Sequence, residues 1–131
     1  MHKLHILLVD SDPMTHERIR RALGKDCVLH SVCSVTEAKE FLRQSSSDML
    51  ISEVALSPES GLELCRYMRT TSVLAAMPVM LLTSCATLQD KVAGFQAGAD
   101  DYVVKPFDTQ HLIARIRLLA RIKRLEQHTG C

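Results

Sequence analysis

The segment HILLVDSDP, residues 5–13, decides the fold class of this chain. Residues 5–9 show no alternation of polar and apolar side chains, which is typical of a strand covered on both faces in a parallel sheet. Asp12 then offers a side-chain acceptor for a helix start, and Pro13 suits the first helical position. The segment therefore predicts a buried strand, an acidic turn and a helix.

The same alternation of strand and helix continues along the chain. Further apolar runs of strand length stand at residues 27–29, 48–51, 79–82 and 102–104. Between them lie helix signals, among them the capping pattern Ser34–Glu37 and the stop residues Gly24 and Gly98. Five strands alternating with five helices predict an α/β domain of three layers, with a doubly wound, five-stranded parallel sheet in the middle.

Composition excludes several classes of protein. The 131 residues include 16 Lys+Arg and 15 Asp+Glu, and a net charge of +1 disfavours direct binding to nucleic acid or membranes. The five cysteines form no C-x-x-C pair, which disfavours a disulfide framework or a zinc ribbon. The apolar runs are too short for a transmembrane helix or the core of a signal peptide. We therefore expect a cytoplasmic domain.

Residues suited to a small anion and a metal ion stand at the predicted strand ends. They are Asp10 and Asp12 after the first strand, Glu53 after the third, Thr83 after the fourth and Lys105 after the fifth. The carboxyl ends of parallel strands share one edge of the sheet, so we expect these side chains to converge. Carboxylates suit Mg²⁺, while a lysine and a hydroxyl suit a phosphoryl group.

The order and spacing of these motifs resemble the CheY-like receiver domain of bacterial two-component response regulators. The matching motifs are Ile6–Asp10, Asp48-x4-Glu53 with Gly61-Leu-Glu-Leu, Pro78–Thr83 and Gly98–Phe107. The resemblance implies a flavodoxin-like fold in which a histidine kinase, with Mg²⁺, transfers a phosphoryl group to an aspartate at position 53. It also implies roles at that site for Thr83 and Lys105, and a cis peptide bond before Pro106. We expect the receiver domain to span residues 1–124, with a tail or the start of a linker at 125–131.

Two residues depart from the family pattern. Glu53 stands in place of the acceptor aspartate and moves the carboxylate by about 1.5 Å, whereas phosphoryl transfer depends on close positioning. Ser11 replaces the second acid of a pair, normally a direct Mg²⁺ ligand. Asp10 remains, and Asp12 is better explained as a helix cap. We therefore predict an atypical receiver that signals without phosphorylation, needs no cofactor and is not an enzyme.

Two alternatives stay open. One is a receiver that still accepts a phosphoryl group from a histidine kinase, with Asp10 and Asp12 sharing Mg²⁺; under this alternative Glu53 is natural or an engineered mimic of phosphoaspartate. The other is a small flavodoxin-like cofactor binder, which is disfavoured because no glycine-rich phosphate loop follows the first strand.

The resemblance also implies an output surface on helix 4, strand 5 and helix 5. Its residues here are Lys91, Asp100, Asp101, Tyr102 and Arg115. Family members dimerise through charged pairs on this face; Asp101 and Arg115 match one pair, whereas His111 replaces the acid expected opposite Lys91. Leu118, Ile122 and Leu125 add an apolar seam at helical spacing, which predicts a helical linker. We expect a homodimer or an output domain as partner, and one fixed rotamer for Tyr102.

Overall fold

The computed structural model describes the backbone of residues 3–129 and the side chains of residues 3–123. Within that part of the chain, five strands alternate with five helices. The strands are β1 (Leu4–Val9), β2 (Cys27–Val32), β3 (Met49–Ser52), β4 (Val79–Thr83) and β5 (Asp101–Val104). The helices are α1 (Pro13–Leu23), α2 (Val35–Gln44), α3 (Gly61–Arg69), α4 (Leu88–Ala97) and α5 (Thr109–Thr129).

The strands form one parallel sheet in the order β2-β1-β3-β4-β5. The chain first moves outward from β1 to β2 and then returns past β1 to β3, so the direction of winding reverses between β1 and β3. In sheets of this kind ligands bind at the carboxyl ends of the strands beside the reversal. Asp10 and Glu53 directly follow those two strands.

Successive residues of a strand point to opposite faces, and the two faces of this sheet bury different helices. Leu7 and Val9 pack in one apolar cluster, whereas Ile6 and Leu8 pack in the other. The first cluster receives Ala38, Leu42, Leu64, Met68 and Ala97 from α2, α3 and α4, and the second receives Ile19, Leu23, Leu112, Ile116 and Leu119 from α1 and α5. The predicted three-layer, doubly wound α/β fold is confirmed.

Local sequence explains where the helices begin. The Asp12 carboxylate accepts a hydrogen bond from the amide of Met14 at the start of α1, as the Asp-Pro pattern predicts. Ser34 caps α2 by accepting from the amide of Glu37, but the Glu37 carboxylate reaches the amide of Cys33 instead of that of Ser34. The cap predicted at Ser34 is therefore present, without the second bond of a full capping box.

Helix α5 continues to Thr129, so the boundary predicted between residues 124 and 125 falls inside a helix. The extent of the domain stays a prediction. Of the predicted apolar seam, Leu118 and Ile122 are 40% and 42% exposed, whereas the side chain of Leu125 lies outside the described residues. In the described part of the chain, no helix combines the length and apolar character needed to cross a membrane.

Candidate functional site

Four of the predicted site residues lie together at the carboxyl edge of the sheet. The Lys105 Nζ lies 2.7 Å from Asp10 Oδ2 and 3.1 Å from Glu53 Oε1, and the Thr83 hydroxyl lies within reach of Glu53. Asp10, Glu53 and Thr83 are only 2%, 7% and 0% exposed. The convergence follows from the parallel sheet, since each residue ends or follows a different strand.

Lys105 supplies the positive charge between two buried carboxylates. Burial lowers the pKa of Lys105, but hydrogen bonds and charge attraction from Asp10 and Glu53 outweigh burial and raise it above its usual value. The ammonium therefore stays charged, and it satisfies one oxygen of each carboxylate. Buried charges persist in this way only when they are paired and hydrogen-bonded.

The carboxylate of Glu53 also folds back onto its own backbone. Its Oε2 accepts hydrogen bonds from the amides of Val54 and Ala55, at 2.7 and 3.1 Å. Burial raises the pKa of Glu53, but the Thr83 hydroxyl, the Ala55 amide and Lys105 outweigh burial and lower it. Both oxygens of Glu53 are therefore engaged, and the group is held in its ionised form.

The backbone of Glu53 is fixed from two sides. Its amide donates to the carbonyl of Val9 at 2.9 Å, and its carbonyl accepts from the Ser52 hydroxyl at 2.9 Å. Gly61 opens α3 directly against this carbonyl: a Cβ added to Gly61 would lie 2.0 Å from the Glu53 oxygen. Only a glycine permits this approach. The neighbouring elements therefore hold the backbone of residue 53 in place whichever acidic side chain it carries.

The donors present fit Mg²⁺ poorly as they are arranged. Asp10 uses Oδ2 for Lys105 and Oδ1 for the amide of Asp12, at 2.9 Å. The Asp12 carboxylate caps α1, and Ser11 is exposed and carries no charge. Among the described residues, no group of three or more His, Cys, Asp or Glu side chains is placed to hold a metal. A cation here would have to share the Asp10 oxygens with Lys105 and with the amide of Asp12.

His16 joins the site although the sequence did not indicate it. Its Nε2 lies 2.6 Å from the backbone carbonyl oxygen of Asp10, and because a carbonyl only accepts, the ring nitrogen donates. His16 is the fourth residue of α1, and its place in the first turn after the end of β1 is the sequence feature that could have indicated its position at the site. The bond ties α1 to the strand end that carries Asp10.

Thr83 is connected to Tyr102 through the loop after β4. The Thr83 hydroxyl oxygen accepts from the Cys85 amide at 3.2 Å, and the Tyr102 hydroxyl donates to the Cys85 carbonyl at 2.6 Å. Burial, followed by nearby negative groups, raises the pKa of Tyr102 to about 12. The ring is half-buried and lies against Gly94, where an added Cβ would come within 2.8 Å of it. Tyr102 is thus held at its ring and at its hydroxyl.

The predicted output residues have different surroundings. Asp101 is buried and forms an ion pair with Arg115 of the same chain. Asp100 binds Arg69 and the Val79 amide, both at 2.8 Å, at the amino end of β4. Lys91 is half-buried in α4.

Two proline peptide bonds at this edge of the sheet are cis. They are Lys105–Pro106, at the position that the resemblance implies, and Ser57–Pro58, in the loop between β3 and α3. The sequence motifs do not predict the cis bond before Pro58.

The chain matches the family model of the response regulator receiver domain over residues 6–117. It is 36% identical over 124 residues to the response regulator MprA of Mycobacterium ulcerans (strain Agy99), covering 94% of this chain and 53% of that protein. It is also 36% identical over 126 residues to the transcriptional regulatory protein GltR of Pseudomonas aeruginosa, covering 95% of this chain and 52% of that protein. The chain thus spans about half the length of the curated relatives it matches.

Solved structures show the same relationship. The BeF3-activated receiver domain of DrrB superposes with a TM-score of 0.83 at 27% identity, covering 92% of this chain and 99% of that one. The signal receiver domain of a signal transduction histidine kinase from Syntrophus aciditrophicus gives a TM-score of 0.83 at 30% identity, covering 89% of each chain. The sequence, the fold and the convergent site thus agree, and the chain belongs to the receiver domain family of two-component response regulators.

Proposed function

We propose that this receiver domain signals without phosphorylation at residue 53. The observation that carries the proposal is the bonding of Glu53: one carboxylate oxygen binds Lys105 and the other binds the amides of Val54 and Ala55. A phosphoacceptor must place a carboxylate oxygen in line with the incoming phosphorus. Both oxygens of Glu53 already accept hydrogen bonds, and its longer side chain does not place them where an aspartate carboxylate would lie.

The energetic cost of freeing Glu53 supports the proposal. Attack on a phosphoryl donor would require Glu53 to leave Lys105 or two backbone amides inside a buried site, and each unmade hydrogen bond to a charged group costs about 1.5–3 kcal/mol. Misplacement by about 1 Å alone slows such a transfer on the order of 100-fold. Ser11 adds to this barrier because it removes an acid from the cation site.

The same contacts give the domain one signalling state. Lys105 joins Asp10 to Glu53, and the Tyr102 hydroxyl holds the loop after Thr83 through Cys85. We infer that Tyr102 keeps this rotamer, since nothing at residue 53 cycles. The domain then acts as a binding module rather than an enzyme.

Signalling is proposed to pass through α4, β5 and α5. Helix α4 buries only Gly94 and Ala97 and leaves an apolar stripe, here called the α4 stripe, which consists of Leu88, Val92 and Phe95. These three residues are 74%, 45% and 49% exposed and recur at helical spacing, which suits contact with another protein surface. Lys91, Asp101 and Arg115 provide charges beside the stripe, with Asp101 and Arg115 already paired within the chain.

The partners proposed are a second copy of this chain and an output domain. The relatives it resembles are about twice its length, and one is described as a transcriptional regulatory protein. Sedimentation equilibrium tests the homodimer: Val92→Glu should dissociate it, and Val73→Glu should not, although Val73 is 88% exposed on the loop before β4. A wild-type chain that stays monomeric at high concentration would contradict the dimer.

Phosphorylation is tested with Mg²⁺ and acetyl phosphate, followed by intact mass. The wild-type chain should remain unmodified, whereas the double variant Ser11→Asp, Glu53→Asp should gain one phosphoryl group, because it restores both acids of the family pattern. Glu53→Asp alone separates acceptor geometry from metal binding. Stable modification of the wild-type chain at Glu53 would overturn the proposal.

A second function keeps phosphorylation by a histidine kinase with Mg²⁺. The observation that favours it is that a carboxylate, Thr83 and Lys105 still share one buried site. It predicts that calorimetry detects Mg²⁺ binding to the wild-type chain and that the Asp10→Ala variant loses this binding. If the wild-type chain shows no heat of Mg²⁺ binding, this second function is wrong.

A further inference from the structure

A cavity opens at the amino end of the sheet, opposite the edge that carries Glu53. Its volume is about 1000 Å³, which is at the upper end of the range for sites that bind small molecules. It lies between the end of α1, the first residues of β1 and β2, the loop before β4, and α5. Its floor is apolar and includes Leu23, Met77, Ile113, Ile116 and Ala120.

The cavity also holds polar groups with unused capacity. Ser47 lines it, and the Ser47 hydroxyl oxygen is buried without a hydrogen-bond partner among the described residues. Buried hydroxyls in native proteins nearly always have a protein or water partner, so this one can bond to a polar atom of a molecule in the cavity. Arg117 and Lys123 of α5 also line the cavity. Lys123 donates to the Ala76 carbonyl at 2.6 Å, whereas Arg117 makes no hydrogen bond or ion pair within residues 3–123.

Two acidic residues, Asp26 and Asp48, also line the cavity. Asp48 accepts a hydrogen bond from the amide of His5 at 2.8 Å, so its carboxylate is already bonded to the backbone of β1. Asp26 is exposed at the end of α1, beside Cys27. Arg117 is the cationic lining residue that has no hydrogen bond or ion pair among the described residues, so a negatively charged ligand would be placed against it.

We propose that this cavity binds an amphipathic carboxylate, with its apolar body on the floor and its carboxylate on Arg117. The apolar floor provides affinity through burial, and the guanidinium provides the fork of donors that a carboxylate matches. The Ser47 hydroxyl donates to a polar atom of the same ligand. This site is separate from residue 53, so it stands whether or not Glu53 can be phosphorylated.

Decanoate serves as the first probe, and decylamine is its matched control of equal chain length and opposite charge. Isothermal titration calorimetry on the full chain should detect decanoate and show about tenfold weaker binding of decylamine. Equal affinity for the two probes, or no binding of decanoate below its micelle concentration, would overturn the proposal.

Variants then locate the carboxylate. Arg117→Gln should weaken decanoate about tenfold, which corresponds to one charge-assisted hydrogen bond. Arg121→Gln, an exposed arginine of α5 that does not line the cavity, should leave the affinity unchanged. Asp26→Asn should strengthen decanoate binding about twofold because it removes a like charge. Loss of affinity in Arg121→Gln equal to that in Arg117→Gln would show nonspecific binding and contradict the site.

The reaction rates of two cysteines test where decanoate binds. Cys27 is half-buried and lines the cavity, whereas Cys33 is exposed and lies outside it. Saturating decanoate should slow the reaction of Cys27 with Ellman's reagent in a variant that carries Cys33→Ser, Cys85→Ser and Cys131→Ser, in which Cys27 and the buried Cys65 are the remaining cysteines. It should leave the rate at Cys33 unaffected in the matched variant that carries Cys27→Ser, Cys85→Ser and Cys131→Ser. An unchanged rate at Cys27 would place decanoate elsewhere and overturn the proposal.

Discussion

The polar groups at the two ends of the sheet differ in how completely they are hydrogen-bonded. At the carboxyl end, every carboxylate oxygen of Asp10 and Glu53 has a donor, and Lys105 binds both residues. At the amino end, a cavity contains the Ser47 hydroxyl without a partner and leaves the guanidinium of Arg117 without an ion pair among the described residues. In this receiver domain the acids at the edge that usually does chemistry are bonded internally, and the ligand site that we propose lies at the opposite edge.

The largest effect on the free energy of unfolding is expected from Lys105→Met, which removes the ion pairs at the carboxyl end of the sheet. Removal of the cation leaves two buried carboxylates facing each other, and breaking a buried pair costs about 3 kcal/mol. Urea denaturation would measure the loss, with Lys91→Met, a half-buried lysine of α4, as the control. Equal loss in the two variants would show that Lys105 is not the bond that closes this end.

A smaller effect is expected from Arg69→Lys, which loosens the amino end. Arg69 donates to the carbonyls of Gly98, Ala75 and Met77 and to the carboxylate of Asp100. A lysine cannot supply this fork, so we expect a loss of about 2 kcal/mol in the free energy of unfolding.

The control for Arg69→Lys is Arg66→Lys, an exposed residue of the same helix. A stability of Arg69→Lys equal to that of the control would show that a single charge suffices at this position.

Glu53→Gln tests how much the charge of Glu53 contributes to the stability of the carboxyl end of the sheet. The folded-state pKa of Glu53 lies below its usual value, so its charge stabilises the fold above the unfolded pKa, and this stabilisation is lost as the pH falls through the folded pKa. At pH 7 the variant should lose about 1.5 kcal/mol, the value of one hydrogen bond to a charged group. The difference from wild type should shrink in acid.

Denaturation at a series of pH values measures this dependence. Glu40→Gln, on the exposed face of α2, is the control for the loss of a surface carboxylate. A constant difference between Glu53→Gln and wild type from neutral pH to acid would contradict an ionised Glu53.

The smallest effect is expected from Tyr102→Phe. The variant removes one hydrogen bond, to the Cys85 carbonyl, and should cost about 1 kcal/mol. It should also remove the phenol that titrates near pH 12, which ultraviolet absorbance measures. Tyr67→Phe is the control, since the Tyr67 hydroxyl has no hydrogen-bond partner in the described residues and its ring faces Lys39. Loss of the high titration in Tyr67→Phe instead would reverse the assignment.

The parts of the fold that depend on local chemistry could be predicted from the sequence. Asp12 and Pro13 mark the start of α1, and Gly98, with φ of 114°, marks the end of α4. Asp10 and Lys105 could be placed together because parallel strands carry their ends to one edge.

The contacts that distinguish this chain could not be predicted in the same way. The return of Glu53 Oε2 to the amides of Val54 and Ala55 depends on a rotamer. His16, Arg69 and the cavity beside Ser47 depend on distances between elements far apart in the chain. A sequence pattern contains neither kind of information, because both arise from tertiary packing.

The contact between Gly61 and the Glu53 carbonyl has an evolutionary consequence. Since the main chain at residue 53 is held by neighbours and not by its own side chain, aspartate and glutamate can exchange there without disturbing the fold. Their codons differ only at the third base. One base change at this codon can therefore exchange the two acids on an unchanged backbone, whereas the uncharged Ser11 would need a second, separate change to restore the other acid of the family pattern.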